Sequence, residues 1–252
     1  MTARLLIIAG SDSGGGAGIQ ADIKTVAMLG GHAMTAITAI TAQNTLGVTA
    51  VHPVPTDMVI AQIDAVASDI GVDAIKIGMI GSAETAARVA DRISQIGAPI
   101  VFDPVMVATS GAALADADTI AAFARLMEMA TLTTPNLPEL AALGGEAEAV
   151  RLAGHVLVKG GHAESEILID RLMDRTGEVM RWEDARIETA HTHGTGCTLA
   201  SAIATGLGQG LTLEDAIGRA RQFVRAALLA APGFGGGHGP MGHQAVHGFA
   251  LC

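Results

Sequence analysis

The chain has 252 residues but no tyrosine, one tryptophan and five phenylalanines, so aromatics make up only 2%. Any core must therefore be filled by Ala, Val, Ile, Leu and Met, and a hydrophobic fraction of 50% supplies them. Positive charge is scarce as well: 15 Lys and Arg stand against 25 Asp and Glu, a formal charge of -10. That argues against nucleic acid as a partner, which would need clustered basic residues; a local cradle still admits a small anion. Cysteine is limited to Cys197 and Cys252, which does not make a disulfide framework. No run approaches the ~18–20 apolar residues of a membrane span. The apolar start at residues 5–9 is too short for a secretory signal core. These absences point to a cytoplasmic protein that engages neither membrane nor nucleic acid.

What the chain does have is glycine, 32 of them, set at the ends of apolar runs with no repeat. Short apolar runs alternate with helical patterns. Strands are expected at 4–9, 34–41, 74–77, 99–102, 131–133 and 155–158, with a hairpin from 166–172 and 177–182. Helices are expected at 19–28, 56–69, 116–129, 196–208 and 212–230, and another after Ser82. Thr56 and Ser82 read as N-caps. The alternation predicts an α/β fold of βαβ units around a mostly parallel sheet. Neither a linker nor an internal repeat divides it, so residues 1–252 read as one domain. Such sheets bind ligands at the carboxyl ends of their strands. Gly10, Gln43, Met79, Asp103, Asn136 and Lys159 all follow a strand.

The most informative segment is His193-Gly194-Thr195-Gly196-Cys197-Thr198. Two glycines at a helix start let backbone N–H groups approach an anion, and the helix end adds partial positive charge. A thiol in that first turn is expected to have a lowered pKa and to serve as base or nucleophile. The first glycine loop, residues 10–18, follows a strand and opens a helix, the setting of a dinucleotide fingerprint. Its Gly14-x-Gly16 is followed at position 19 by Ile, and no Gly-Lys-Ser/Thr is present, so it is neither that fingerprint nor a P-loop. Asp22, one turn into the helix, is placed to reach back to a ligand hydroxyl. Gln43 offers one donor and one acceptor in a fork that fits an aminopyrimidine edge. Asn136 and Glu139 suit a hydrated Mg²⁺, or equally an N-cap with Pro138 and an acidic first turn. Lys159 is a phosphate partner or a surface lysine. His238, His243 and His247 lack the spacing of a zinc site. His193 suits a role in positioning its loop.

Taken together, residues 9–22, 41–45, 76–79, 103–106, 134–139, 158–162, 193–197 and 237–240 resemble, in order and spacing, the ribokinase-like superfamily. Within it they look like the hydroxymethylpyrimidine/phosphomethylpyrimidine kinases of thiamine biosynthesis. The resemblance implies a three-layer α/β/α fold and ATP with Mg²⁺ as cofactors. It implies a pyrimidine pocket lined by Gly10, Ala17, Asp22, Gln43, Met79 and Val105. Glu139 would help hold Mg²⁺, with Asn136 beside it. Lys159 and Thr195 would contact ATP phosphates, and Cys197 would stand where sugar kinases carry an aspartate base. The N–H groups of Gly194, Thr195, Gly196 and Cys197 would form the anion hole. A homodimer is the expected assembly. The family tail often reads Gly-Lys-Gly-His-Gly-Pro, and Gly236 occupies the lysine's place here. A pyridoxal or pyridoxine kinase, and a non-catalytic pyrimidine sensor, are the rival readings.

Overall fold

Alternation along the first strand sets the layers. In β1 (Arg4–Asp12), Leu6 and Ile8 face one apolar cluster while Leu5, Ile7 and Ala9 face another, all at most 1% exposed. A strand buried on both faces needs helices on both. The computed structural model supplies them, describing residues 2–107, 111, 114–162 and 165–249.

One sheet of nine strands runs through the molecule in the order β3-β2-β1-β4-β5-β6-β7-β8-β9. These are β2 (His32–Asn44), β3 (Gly47–Pro53), β4 (Ala74–Ile77), β5 (Ile100–Phe102), β6 (Leu132–Thr133), β7 (Val156–Val158), β8 (Ile167–Asp174) and β9 (Gly177–Ala185). The middle of the sheet, from β2 to β7, is parallel; β3, β8 and β9 add antiparallel edges. On one face lie α2 (Thr56–Asp69), α3 (Ala83–Ile93), α4 (Ala117–Met129), α5 (Leu137–Ala142) and α6 (Glu146–Leu152). On the other lie α1 (Gly18–Met28), α7 (Thr195–Gly208) and α8 (Leu213–Leu229). This is the three-layer α/β/α arrangement, and among the described residues no helix is long and apolar enough to cross a membrane.

With so few aromatics, the core depends on small side chains. Ala200, Ala202, Ile203 and Ala204 of α7 are fully buried, which lets that helix lie flat between the sheet, α1 and α8. Phe102 and Phe123 meet edge to face at 5.2 Å on the opposite side.

Several expectations need correction. The second strand extends to Asn44 and turns back into β3, which the apolar pattern did not signal because most of its residues are exposed. Pro55 occupies the N-cap of α2, so Thr56 is its first helical residue and does not cap it. Ser82 does cap α3, accepting from the Thr85 N–H at 3.1 Å. Helix α6 was not foreseen. Cys252 lies outside the described residues.

The order of strands reverses direction at β1, which pairs with β2 on one side and β4 on the other. The crevice outside the carboxyl ends of strands at such a switch is where α/β proteins bind ligands.

Candidate active site

A cavity of about 950 Å³ opens there. Its walls include Gly10, Ala17, Gln43, Met79 and Val105 at one end, and Asn136, Glu139 and Lys159 further along. The first turn of α7, Gly194 to Cys197, closes it from below. It continues between β8–β9 and α8, past Asp170, Arg186, Val224 and Arg225. The structure thus gathers into one cavity every site residue expected from the sequence except Asp22.

The helix start is built as its sequence requires. Gly194 is the N-cap with φ of 85°, a left-handed conformation that glycine adopts without strain. Gly196 has no Cβ; one placed there would lie 3.3 Å from Asp103 Oδ2 and 3.4 Å from Lys159 Nζ, in the space above that ion pair. The first N–H groups of a helix lack intrahelical acceptors and point at an incoming anion. One detail differs from expectation: the Thr195 N–H already donates to the Thr192 carbonyl at 3.3 Å. The Thr195 amide is thus already engaged by the chain itself.

Cys197 is a free thiol, and its pKa is shifted in the direction opposite to that expected. Burial pushes the thiol up to about 11. Lys76 and the Gly18 N–H favour the thiolate, while Asp22 and Asp103 oppose it. Desolvation outweighs the helix end.

Asp103, at the end of β5, is buried and accepts from Lys159 Nζ at 2.8 Å and Thr134 Oγ1 at 3.0 Å. Burial alone would lower the Lys159 ammonium, but Asp103 and Glu139 outweigh it and hold the pKa above the usual lysine value. Asn136 and Glu139 form a reciprocal capping box at the start of α5. Asn136 Oδ1 accepts from the Glu139 N–H at 2.9 Å, and Glu139 Oε2 accepts from the Asn136 N–H at 2.8 Å. So the capping interpretation of this tetrapeptide is realised, and the carboxylate still reaches the cavity. Burial pushes Glu139 up to about 7, against the pull of Lys159.

Asp22 is the correction within the site. It is fully buried beneath the cavity and does not line it. Lys76 Nζ donates to both its oxygens at 3.0 and 2.9 Å, and Ser201 Oγ donates at 2.7 Å. Its partners lie on β4 and one turn below Cys197 on α7, so it anchors the floor under the thiol.

Asp12 was not singled out by the sequence reading, yet it organises the first loop. Its carboxylate accepts from the N–H groups of Gly14, Gly16 and Ala17 at 2.8, 3.0 and 2.8 Å. His193 Nε2 lies 2.9 Å from Asp12 Oδ2 and 3.2 Å from the Gln43 side chain. Burial would raise Asp12, but the bonds from His193, Ala17 and Gly14 hold it below the usual carboxylate range. An aspartate inside a glycine-rich strand-to-helix turn was the available signal. Among the described residues no group of three or more His, Cys, Asp and Glu is arranged to hold a metal ion. His243 is instead buried against Thr198 Oγ1 at 2.8 Å.

Residues 12–242 match the family model described as phosphomethylpyrimidine kinase. The chain is 48% identical to the hydroxymethylpyrimidine/phosphomethylpyrimidine kinase of Rhizobium meliloti strain 1021, over 96% of this chain and 97% of that one. It is 46% identical to the thiamine biosynthesis bifunctional protein ThiED of Geobacter sulfurreducens, covering 95% of this chain and 52% of that protein. Among solved structures it is similar to an ADP complex of Bacillus subtilis pyridoxal kinase, with a TM-score of 0.88, 32% identity and coverage of 97% and 98%. A glycine-rich helix start, a thiol in its first turn and a lysine–aspartate pair sharing one cavity at the sheet's switch point are thus joined to full-length similarity in sequence. The chain belongs to the phosphomethylpyrimidine kinase family.

Proposed function

We propose that this chain transfers the γ-phosphoryl group of ATP to the hydroxymethyl oxygen of 4-amino-5-hydroxymethyl-2-methylpyrimidine, and then phosphorylates the monophosphate to the diphosphate, in thiamine biosynthesis. The observation that carries this reading is that Gln43, Cys197 and Lys159 line the same cavity as the first turn of α7.

Phosphoryl transfer needs alignment and charge neutralisation more than covalent chemistry. The pyrimidine docks against Gln43 among Gly10, Ala17, Met79 and Val105, with its hydroxymethyl oxygen over Cys197. Lys159 neutralises the transferring phosphoryl group from one side. The Gly196 and Cys197 amides face the charge that develops on its oxygens, and the Thr195 hydroxyl supplies a further phosphate contact. The bond from the γ-phosphorus to the bridging oxygen breaks as the bond to the alcohol oxygen forms, and ADP leaves. The alcohol proton passes to the Cys197 thiolate, a minor form near neutrality but a strong base once formed.

Glu139 and Asn136 fit a hydrated Mg²⁺, which usually takes one or two protein carboxylates together with water and phosphate oxygens. The Glu139 carboxyl, raised by burial and exposed to the cavity, is a group that a cation would favour in its ionised form. Bound Mg²⁺ supplies neutralisation of the ATP phosphates. The proposal includes a cytoplasmic location and a homodimer, the latter checked by sedimentation velocity.

An ATP-coupled assay with the alcohol, then with its monophosphate, tests the reading. ADP release matched by mono- and then diphosphate in phosphorus NMR is the expected result; tight binding without ATP turnover would make the protein a sensor instead. The pyridoxal kinase likeness makes pyridoxine the competing alcohol. A higher kcat/KM for pyridoxine than for the pyrimidine would replace this reading.

A further inference from the structure

The ring of His193 is held where three loops meet. The His193 backbone N–H donates to the Gly239 carbonyl at 3.2 Å, and the His193 backbone pairs with Pro240 in a short parallel bridge. A Cβ on Gly16 would lie 2.5 Å from its Cδ2, so the ring fits against that glycine. In this position Nε2 faces two groups at once, Asp12 Oδ2 at 2.9 Å and the Gln43 side-chain amide at 3.2 Å.

The donor inventory decides how these contacts are satisfied. Asp12 already accepts three backbone N–H groups and is an ionised acceptor. Nε2 must therefore carry a hydrogen and donate it to Asp12, which leaves it no lone pair. With the amide nitrogen of Gln43 toward it, two donors would face each other. With the amide oxygen toward it, the contact is attractive.

The other end of the amide gives the same answer. The structure sets Gln43 Nε2 toward His193 and Gln43 Oε1 at 3.3 Å from Thr41 Oγ1, whose single hydrogen is committed to the Ser11 carbonyl at 2.9 Å. That hydroxyl has only lone pairs left to offer, so it takes the amide nitrogen. Amide oxygen and nitrogen are nearly isosteric, and the hydrogen-bond network fixes which is which.

We infer that His193, tied to Asp12, is a positioning residue that sets the Gln43 amide with its oxygen toward the imidazole and its nitrogen toward Thr41, so that the amide reads an aminopyrimidine edge in one sense only. A ring nitrogen accepts from the amide nitrogen on the Thr41 side, and the exocyclic amine donates to the amide oxygen on the His193 side. Reversed, the edge would set donor against donor and acceptor against acceptor. A pyridine alcohol lacks this adjacent amine and ring nitrogen. The inference rests on the proposed pyrimidine substrate and adds the group that gives Gln43 its polarity.

Three variants test it, with KM from ATP-coupled kinetics and Kd from calorimetry for the pyrimidine alcohol. Wild-type turnover of the alcohol is the control for the functional reading, and Kd tests the inference independently of turnover. H193F keeps the ring but removes the N–H; it should raise Kd and KM for the alcohol roughly tenfold, about one hydrogen bond's discrimination, and leave KM for ATP unchanged. H193Q keeps an N–H near the Nε2 position and should return both constants to within about threefold of wild type. Q43E offers acceptors at both ends and should raise them about tenfold or more. H193Q and Q43E carry the test if H193F does not fold. The inference is overturned if H193Q is as impaired as H193F, if KM for ATP rises in step, or if Q43E binds the alcohol as well as the wild type does.

Discussion

Two aspartate–lysine pairs flank the thiol of Cys197, and they differ mainly in what they face. Lys76 and Asp22 meet at 2.9 Å with side chains 1% and 0% exposed. Lys159 and Asp103 meet at 2.8 Å with 13% and 2% exposed. The small opening at Lys159 is the opening into the cavity. The first pair is sealed by α1, β4 and Ser201 of α7 and holds the floor of the site. The second lies at the ends of β5 and β7, where a phosphate can reach it. The same two residue types at the same distance serve structure in one place and are available to chemistry in the other, and access to the cavity separates the two roles.

Breaking the sealed pair should have the largest effect. In Lys76 the charge of Asp22 overcomes burial and keeps the ammonium charged. Lys76→Met then strands a buried carboxylate and should cost about 3–5 kcal/mol of stability in urea unfolding, whereas Asp22→Leu/Lys76→Met should recover most of that loss. A double variant as unstable as the single would mean that the charges themselves, and not their mutual compensation, hold the floor.

Cys197 lies between the pairs. Cys197→Ala should lower kcat by ~10²–10⁴-fold, the usual effect of losing a general base. With the thiol pushed up to about 11, alkylation of Cys197 by iodoacetamide should rise about tenfold per pH unit from 7 toward that value. A near-wild-type kcat in the alanine variant would remove the thiol from proton transfer.

A smaller effect comes from the other side of α7. Burial, with the charge of Lys24, lowers His243 to about 4. The unfolded chain takes up a proton near 6.5, and the folded one only near 4. Stability is therefore complete above pH 6.5 and falls as pH drops from there toward 4. Between pH 7 and 4.5 this group accounts for about 2–3 kcal/mol. His243→Phe should flatten that part of the pH dependence, as read from urea midpoints at the two pH values.

The layers of the fold were legible because β1 holds the apolar run at residues 5–9, β4 is short and apolar but for Lys76, and α7 is made mostly of small residues. The β2–β3 hairpin was not, since β3 is exposed along most of its length and carries no apolar period. The cavity residues could be read from their places near the carboxyl ends of strands, although Gly10 and Gln43 still lie within β1 and β2. Asp22 was misplaced because a position one turn into a helix does not show whether the side chain faces the ligand or the floor. The thiol's pKa was misjudged for a related reason: a helix start is visible in sequence, while burial is not. The link from Asp12 through His193 to Gln43 joins residues 181 and 150 positions apart, and no local pattern encodes it.

The comparison of the two pairs is tested most directly by steady-state kinetics of Lys159→Met with the pyrimidine alcohol and ATP, alongside its melting temperature. The open pair predicts a fall in kcat of about 10²–10³-fold in a protein that melts within a few degrees of wild type, because Asp103 keeps Thr134 and gains water from the cavity. A variant that retains wild-type kcat, or that loses activity only because it unfolds, would contradict the account.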